Sequence, residues 1–230
     1  MGFQGVRSIW GDEYKFLDEV LKSTAQALFK VRIPENGGIE FPDQTRLSEQ
    51  EARFIFCHEL QKKDHRFALE QPTTHKYRWA DEDWSNQGTD AMGQGNRARL
   101  DVAVFHQKPT TEQRVLVNIE FKAGLPTKDS IAKDLVKLVR EEAKGVWFLA
   151  LPLDMSTNTP KKLFSLKNGL NGAIARVNER VAHVKSNPIL IYIVDPATGD
   201  WFAKVLDQEI WKNPEVLFRT ESGAPFYEAW

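Results

Sequence analysis

The sequence predicts an α/β fold, a mixed central sheet flanked by helices, and three observations carry that prediction. Apolar residues recur at helical spacing in 12–30, 48–63 and 127–144. Two strand-like segments, RARLDVAVF (97–105) and RVLVNIEFKAG (114–124), stand in succession between the last two of these. The run VWFLALPL (146–153) is continuously apolar, as expected of a strand covered on both faces.

In chain order, DEYKFLDEVLKSTAQALFK (12–30) places Phe16, Leu17, Val20, Leu21, Ala25 and Leu28 on one stripe, with Asp12 and Glu13 in the first turn. A second helix opens at Ser48. Ala52, Ile55, Phe56 and Leu60 form its stripe, and Ser48 with Glu51 fits a capping box. Residues 66–79 read as a strand broken at Pro72. The polar, glycine-containing DEDWSNQGTDAMGQGN reads as a loop, and HQKPTTEQ as a hairpin connection. The helix over 127–144 buries Ile131, Leu135, Leu138 and Val139, with Thr127 as N-cap and Gly145 as terminator. A helix within 160–184 and strands in PILIYIVDP and DWFAKVLD follow. The aromatics Trp211, Phe218, Phe226, Tyr227 and Trp230 then suggest a tail docked on the body.

Composition bounds the classes. A chain of 230 residues, 41 % hydrophobic, with seven Trp and fourteen Phe, supports one substantial core, so a single domain over 1–230 is expected. The only cysteine, Cys57, excludes an internal disulfide and favours a reducing compartment. The start lacks the apolar stretch of a signal peptide, and no run approaches the roughly 20 apolar residues of a membrane span. A cytoplasmic protein without a membrane partner is the expectation. The net charge of −1 does not itself announce a nucleic-acid binder. Between 160 and 185, however, Lys161, Lys162, Lys167, Arg176, Arg180 and Lys185 face Glu179 alone; a solvated helix face is the simpler reading of that excess.

The chemistry concentrates in the two successive strands. Side chains alternate along a strand, so Glu120 and Lys122 share one face while Ile119 and Phe121 go to the other. If the strands are neighbours, Asp101 joins Glu120 and Lys122 in a polar cluster on an otherwise apolar sheet. Two carboxylates with a lysine suit a hard divalent cation and hydrolytic chemistry. In a purely structural role the same acids would pair with Lys122, Arg97 or Arg99, because carboxylates inside a sheet are costly unless paired.

Leu100-Asp101, eighteen intervening residues and Glu120-Phe121-Lys122, in the order helix, strand, strand, strand, helix, strand, resemble the PD-(D/E)XK nuclease superfamily over about 47–153. Leu100 stands where the family pattern has proline. The resemblance implies a restriction-endonuclease-like αβββαβ core, here with an N-terminal helix and a C-terminal α/β extension. It implies a Mg²⁺-dependent nuclease, with Mn²⁺ as a substitute, acting on DNA rather than RNA, of the kind found in phage defence or repair. Asp101, Glu120 and the Phe121 carbonyl would hold the metal, joined in some members by a helix acid, for which Glu49 and Glu51 are candidates. Lys122 would orient the attacking water or stabilise transition-state charge. Arg97, Arg99 and Lys137 are candidate nucleic-acid contacts, and Glu70 also lies on a strand that could approach the site. The absence of a recognisable specificity domain points to a homodimer or a protein partner. The alternative is an inactive nuclease-fold protein serving as a nucleic-acid-binding or assembly module.

Other motifs fail. His58-Glu59-Leu60-Gln61-Lys62 begins like a zinc-protease helix but ends in lysine. The five histidines and one cysteine show no paired ligand spacing, and Gly93 and Gly95 lack the rest of a phosphate loop. Cys57, inside an amphipathic helix, reads as a small buried hydrophobe.

Overall fold

The computed structural model describes residues 10–32, 48–77, 96–106, 114–153, 159–180 and 188–218, less the side chains of residues 31, 32, 180 and 218. The expected polar loop, the hairpin connection, Lys185, and Phe226, Tyr227 and Trp230 lie outside them. So do the side chains of Arg180 and Phe218.

Six strands form one mixed sheet in the order of the chain: β1 (Phe67–Tyr77), β2 (Asn96–Phe105), β3 (Val115–Ala123), β4 (Lys144–Ala150), β5 (Ile189–Val194) and β6 (Trp201–Leu206). β1, β2 and β3 run antiparallel, β3, β4 and β5 parallel, and β6 antiparallel to β5. Parallel neighbours need crossovers, and the helices α3 (Lys128–Arg140) and α4 (Thr159–Arg180) lie in them. On the opposite face lie α1 (Lys15–Arg32), entered through the short 3₁₀ turn Asp12–Tyr14, and α2 (Glu49–Lys62). A short α5 (Gln208–Lys212) and a 3₁₀ turn at Pro214–Phe218 return to the α4 side, where Trp211 and Leu217 are buried. The architecture is α/β, with helices on both faces.

Alternation along the strands divides the core in two. Val117, Ile119 and Phe121 of β3, with Val146 and Phe148 of β4 and Tyr192 of β5, pack under α1 and α2. Trp147, Leu149, Ile191 and Ile193 pack under α3 and α4. β4 is therefore apolar from Gly145 onward because both its faces are covered. On the α1/α2 side the rings of Phe56, Phe121, Phe148, Tyr192 and Trp201 follow one another at centroid separations of 5.1–5.7 Å, crossing the sheet from α2 to β6. Cys57 is buried in this layer, and burial pushes its thiol up to about 11, so it is inert at neutral pH. No helix among the described residues is long and apolar enough to cross a membrane.

Two expectations about α3 need correction. The helix begins as predicted, with the Thr127 hydroxyl accepting the Ser130 N–H, but it stops at Arg140 instead of running to 144. Glu141 leaves the helix because its buried carboxylate accepts the backbone N–H groups of Thr74 and His75 in β1. Gly145 is not the terminator; it lies inside β4, opposite Asn118. A Cβ there would stand 3.0 Å from Leu138 Cβ and 3.3 Å from Ile189 Cγ1, so the glycine permits α3 to lie close on the sheet. Gly145→Val should lower stability by about 1–3 kcal/mol through overpacking, read as a lower denaturation midpoint at constant m-value.

The basic excess on α4 is partly answered by acids from elsewhere. Lys167 pairs with Glu215 at 2.8 Å, Arg176 pairs with Asp129, and the Lys162 ammonium donates to the Pro152 carbonyl. At the junction of α1 and α2, His65 stacks on Phe16 with ring centroids 3.9 Å apart. Burial, then the Lys63 charge, hold its pKa below the ordinary 6.5, with Asp64 opposing. A depressed histidine takes up fewer protons folded than unfolded, so its contribution is present above pH 6.5 and is lost as pH falls toward the folded pKa. His65→Gln should flatten the acid limb of thermal stability between about pH 6.5 and 5; an unchanged limb would exclude His65 as its source.

Candidate metal-dependent site

β2 and β3 pair only as far as Val102 opposite Ile119, then separate. At this fork β2 also turns over. Leu100 packs on the α3 side and Val102 on the α2 side, although strand parity would put them together. The neighbouring strand is irregular at the same level, with Glu70 at φ 52° between the pairs Leu69–Val102 and Gln71–Leu100. Asp101 sits at this point. Its Oδ2 accepts the Phe121 N–H at 2.7 Å, so a carboxylate takes up a backbone donor where the β2–β3 ladder has ended.

Other site groups enter from three elements. From α2, the Arg53 guanidinium donates to Glu70 Oε1 at 2.6 Å and to Asp101 Oδ1 at 3.4 Å. Glu49, one turn earlier on α2, stands 3.4 Å from the Lys122 ammonium. From β3, the Lys122 ammonium also donates to the Phe121 carbonyl at 3.0 Å and pairs with Asp134 Oδ2 at 3.1 Å. From α3, Lys137 lies 2.6 Å from Glu120 Oε1 and 3.3 Å from Asp134 Oδ1, and donates to the Arg99 carbonyl at 3.2 Å. Glu120 is 2 % exposed and Asp134 7 %, so this is a buried ionic network and not a surface one.

Its electrostatics are lopsided. Glu49, Glu70, Asp101, Glu120 and Asp134, if all ionised, face Arg53, Lys122 and Lys137, leaving two negative charges uncompensated. Burial, then the Asp134 charge, hold Glu120 well above the usual carboxylate range; Asp101 adds to the rise and Lys137 opposes it. Burial likewise raises Glu49, against Lys122. Burial alone would lower the Lys122 pKa, but Asp134, Glu49 and Glu120 outweigh it and leave the ammonium above its ordinary value. Lys122 thus stays an ammonium that donates hydrogen bonds and is not a general base.

Asp101, Glu120, Glu49 and the Phe121 carbonyl offer only oxygen, the donor type that a hard divalent cation takes. Among the described residues no three acid, histidine or cysteine side chains are gathered into a ready metal cage, and the lysines neutralise the acids instead.

The candidates from the sequence are distributed unevenly. Asp101, Glu120, Phe121, Lys122 and Glu49 are linked through these contacts. Glu51 instead completes the capping box, accepting the Ser48 N–H at 2.7 Å while Ser48 Oγ accepts the Glu51 N–H at 3.1 Å. Glu59 pairs with Lys62 at 2.7 Å. Arg97 and Arg99 are exposed, and among the described residues no ion pair joins them to Asp101 or Glu120. Lys137 turns inward onto Glu120. Arg53 escaped the sequence reading, although it stands one turn from Glu49 and three residues before the buried Phe56. Asp134, which sequence reasoning did not single out for the site, is buried on α3 beside Ile131 and Leu135. Compared with protein-family models, curated proteins and solved structures, the chain matches none of them.

Proposed function

We propose that this chain is a Mg²⁺-dependent nuclease hydrolysing phosphodiester bonds of DNA on a restriction-endonuclease-like core. The observation that carries the reading is the fork, where Asp101 and the Glu120-Phe121-Lys122 segment meet through the Asp101–Phe121 N–H bond. The element order α2-β1-β2-β3-α3-β4, which is helix, three strands, helix, strand, supports it.

In this reading Asp101, Glu120 and the Phe121 carbonyl would hold the cation, joined by Glu49 from α2. The cation, when bound, polarises the phosphodiester and lowers the pKa of an attacking water. The chain's own residues do the rest. Phe121 N–H fixes the Asp101 carboxylate, and the Phe121 ring, buried between Phe56 and Phe148, fixes the strand beneath it. Lys122, held protonated by Asp134 and Glu49, donates hydrogen bonds to the water or to a phosphate oxygen gaining charge. Arg53 balances Asp101 from α2 and keeps the fork open on that side.

One observation favours the second reading, an inactive nuclease-fold module that binds nucleic acid or assembles complexes. Lys137 and Lys122 already stand 2.6–3.4 Å from Glu120, Asp134 and Glu49, so ammonium groups occupy carboxylate oxygens that a cation would take. Incubating wild type, Asp101→Ala, Glu120→Ala and Lys122→Ala with linear DNA, circular DNA and RNA, in Mg²⁺ or EDTA, separates the two. Cleavage by wild type alone and only with Mg²⁺ is the expected result. Equal cleavage by all four proteins removes the assignment, and binding without cleavage under every metal favours the module.

A further inference from the structure

Resting on the metal-dependent reading above, we propose that Lys137 is a resident counter-ion that stands in for the divalent cation beside Glu120 and yields when the cation binds. Its ammonium is ringed by three oxygens, from Glu120, Asp134 and the Arg99 carbonyl, at 2.6, 3.3 and 3.2 Å. It donates a hydrogen bond to the Arg99 carbonyl and faces the two carboxylates as ion pairs. With its side chain 12 % exposed, Lys137 has no use as a surface contact for phosphate.

The device answers a physical difficulty. Glu120 is buried, and leaving its carboxylate without positive charge would be strongly destabilising whenever the cation is absent. An ammonium on a flexible four-carbon stem supplies that charge and can retract. Retraction does not strand it, because Asp134 and the Arg99 carbonyl still hold the head group after Glu120 is released. Asp134 is thus the positioning residue of the exchange: it receives Lys137 on one oxygen and keeps Lys122 on the other. The consequence is a cation affinity set below what the carboxylates alone would give, in return for a protein that stays folded without the cation.

Calorimetric titration with Mn²⁺, together with the thermal shift that Mn²⁺ produces, tests this without any cleavage assay. Lys137→Met and Lys137→Gln remove the competing charge, and each should bind Mn²⁺ about tenfold more tightly or better and gain more in Tm on its addition than wild type. Asp134→Asn should do the opposite, weakening Mn²⁺ binding, because it removes one negative charge and the retreat for Lys137; this variant keeps the question answerable if neither lysine variant folds. Wild type that binds Mn²⁺ while the lysine variants bind it equally or less well overturns the counter-ion role and leaves the nuclease reading standing. Tighter binding by Asp134→Asn overturns it as well. No Mn²⁺ binding by wild type, or undiminished binding by Glu120→Gln, overturns the metal-dependent reading itself and this inference with it.

Discussion

Glu120→Gln should abolish Mg²⁺-dependent DNA cleavage, by about a thousandfold, while leaving the protein at least as thermally stable as wild type. The two halves of this result come from the same burial. As a carboxylate, Glu120 is a full negative charge in a place where burial and the Asp134 charge push its pKa up, and only Lys137 offsets them. Glutamine keeps the shape and one carbonyl oxygen toward Lys137 but removes the charge a cation needs. Lys137 is not orphaned, since Asp134 and the Arg99 carbonyl remain. Removing one partner of a buried ion pair is ordinarily destabilising because the other charge is stranded, but here Asp134 still faces Lys137 and burial already disfavours the Glu120 charge. Activity is read from initial cleavage rates at saturating Mg²⁺, stability from thermal unfolding without divalent ions. A variant that loses activity together with several degrees of Tm would make Glu120 a structural residue, and the proposed chemistry would have to move elsewhere. Lys122→Met should give a complementary result, with cleavage lost and Mn²⁺ binding kept, if the lysine acts on the substrate as proposed and not as a ligand.

The order of elements was legible because period and composition agree with tertiary burial. The stripe of α1, the capping box of α2 and the two-faced burial of β4 each follow from local pattern. Asp101, Glu120 and Lys122 were legible for the reverse reason, as charges interrupting strands otherwise fit for a core. What was not legible depends on irregularity. Nothing local says that β2 turns over at Asp101, because Leu100 and Val102 are both apolar and fit either side. Arg53 resembles any charged residue on a half-exposed helix until α2 is laid beside the fork. Lys137 is spaced like an ordinary surface lysine of α3, yet helix rotation turns it onto Glu120.

The end of α3 is where local propensity lost most clearly, and it carries the largest expected effect on stability: Glu141→Ala should cost about 3 kcal/mol. Glu141, Glu142, Ala143 and Lys144 are all sound helix formers, so periodicity alone extends the helix through them. The competing demand comes from β1. Between Pro72, opposite Arg99, and Lys76, opposite Arg97, the register shifts, and the N–H groups of Thr74 and His75 turn away from β2. Both oxygens of Glu141 accept from Thr74, Oε1 also accepts from His75, and the Tyr77 hydroxyl donates to it at 3.4 Å. Alanine would leave these part-buried donors without their carboxylate and would release the helix end from the edge strand. Glu141→Gln, which keeps one acceptor oxygen, should lose less than half as much. Denaturant unfolding of the two variants ranks them, and equal losses would show that negative charge, not hydrogen-bond acceptance, holds the bulge. Because α3 also carries Asp134 and Lys137, Glu141→Ala should weaken Mn²⁺ binding even at temperatures where the variant remains folded, an effect that Gly145→Val, acting at the other side of the same helix, should share.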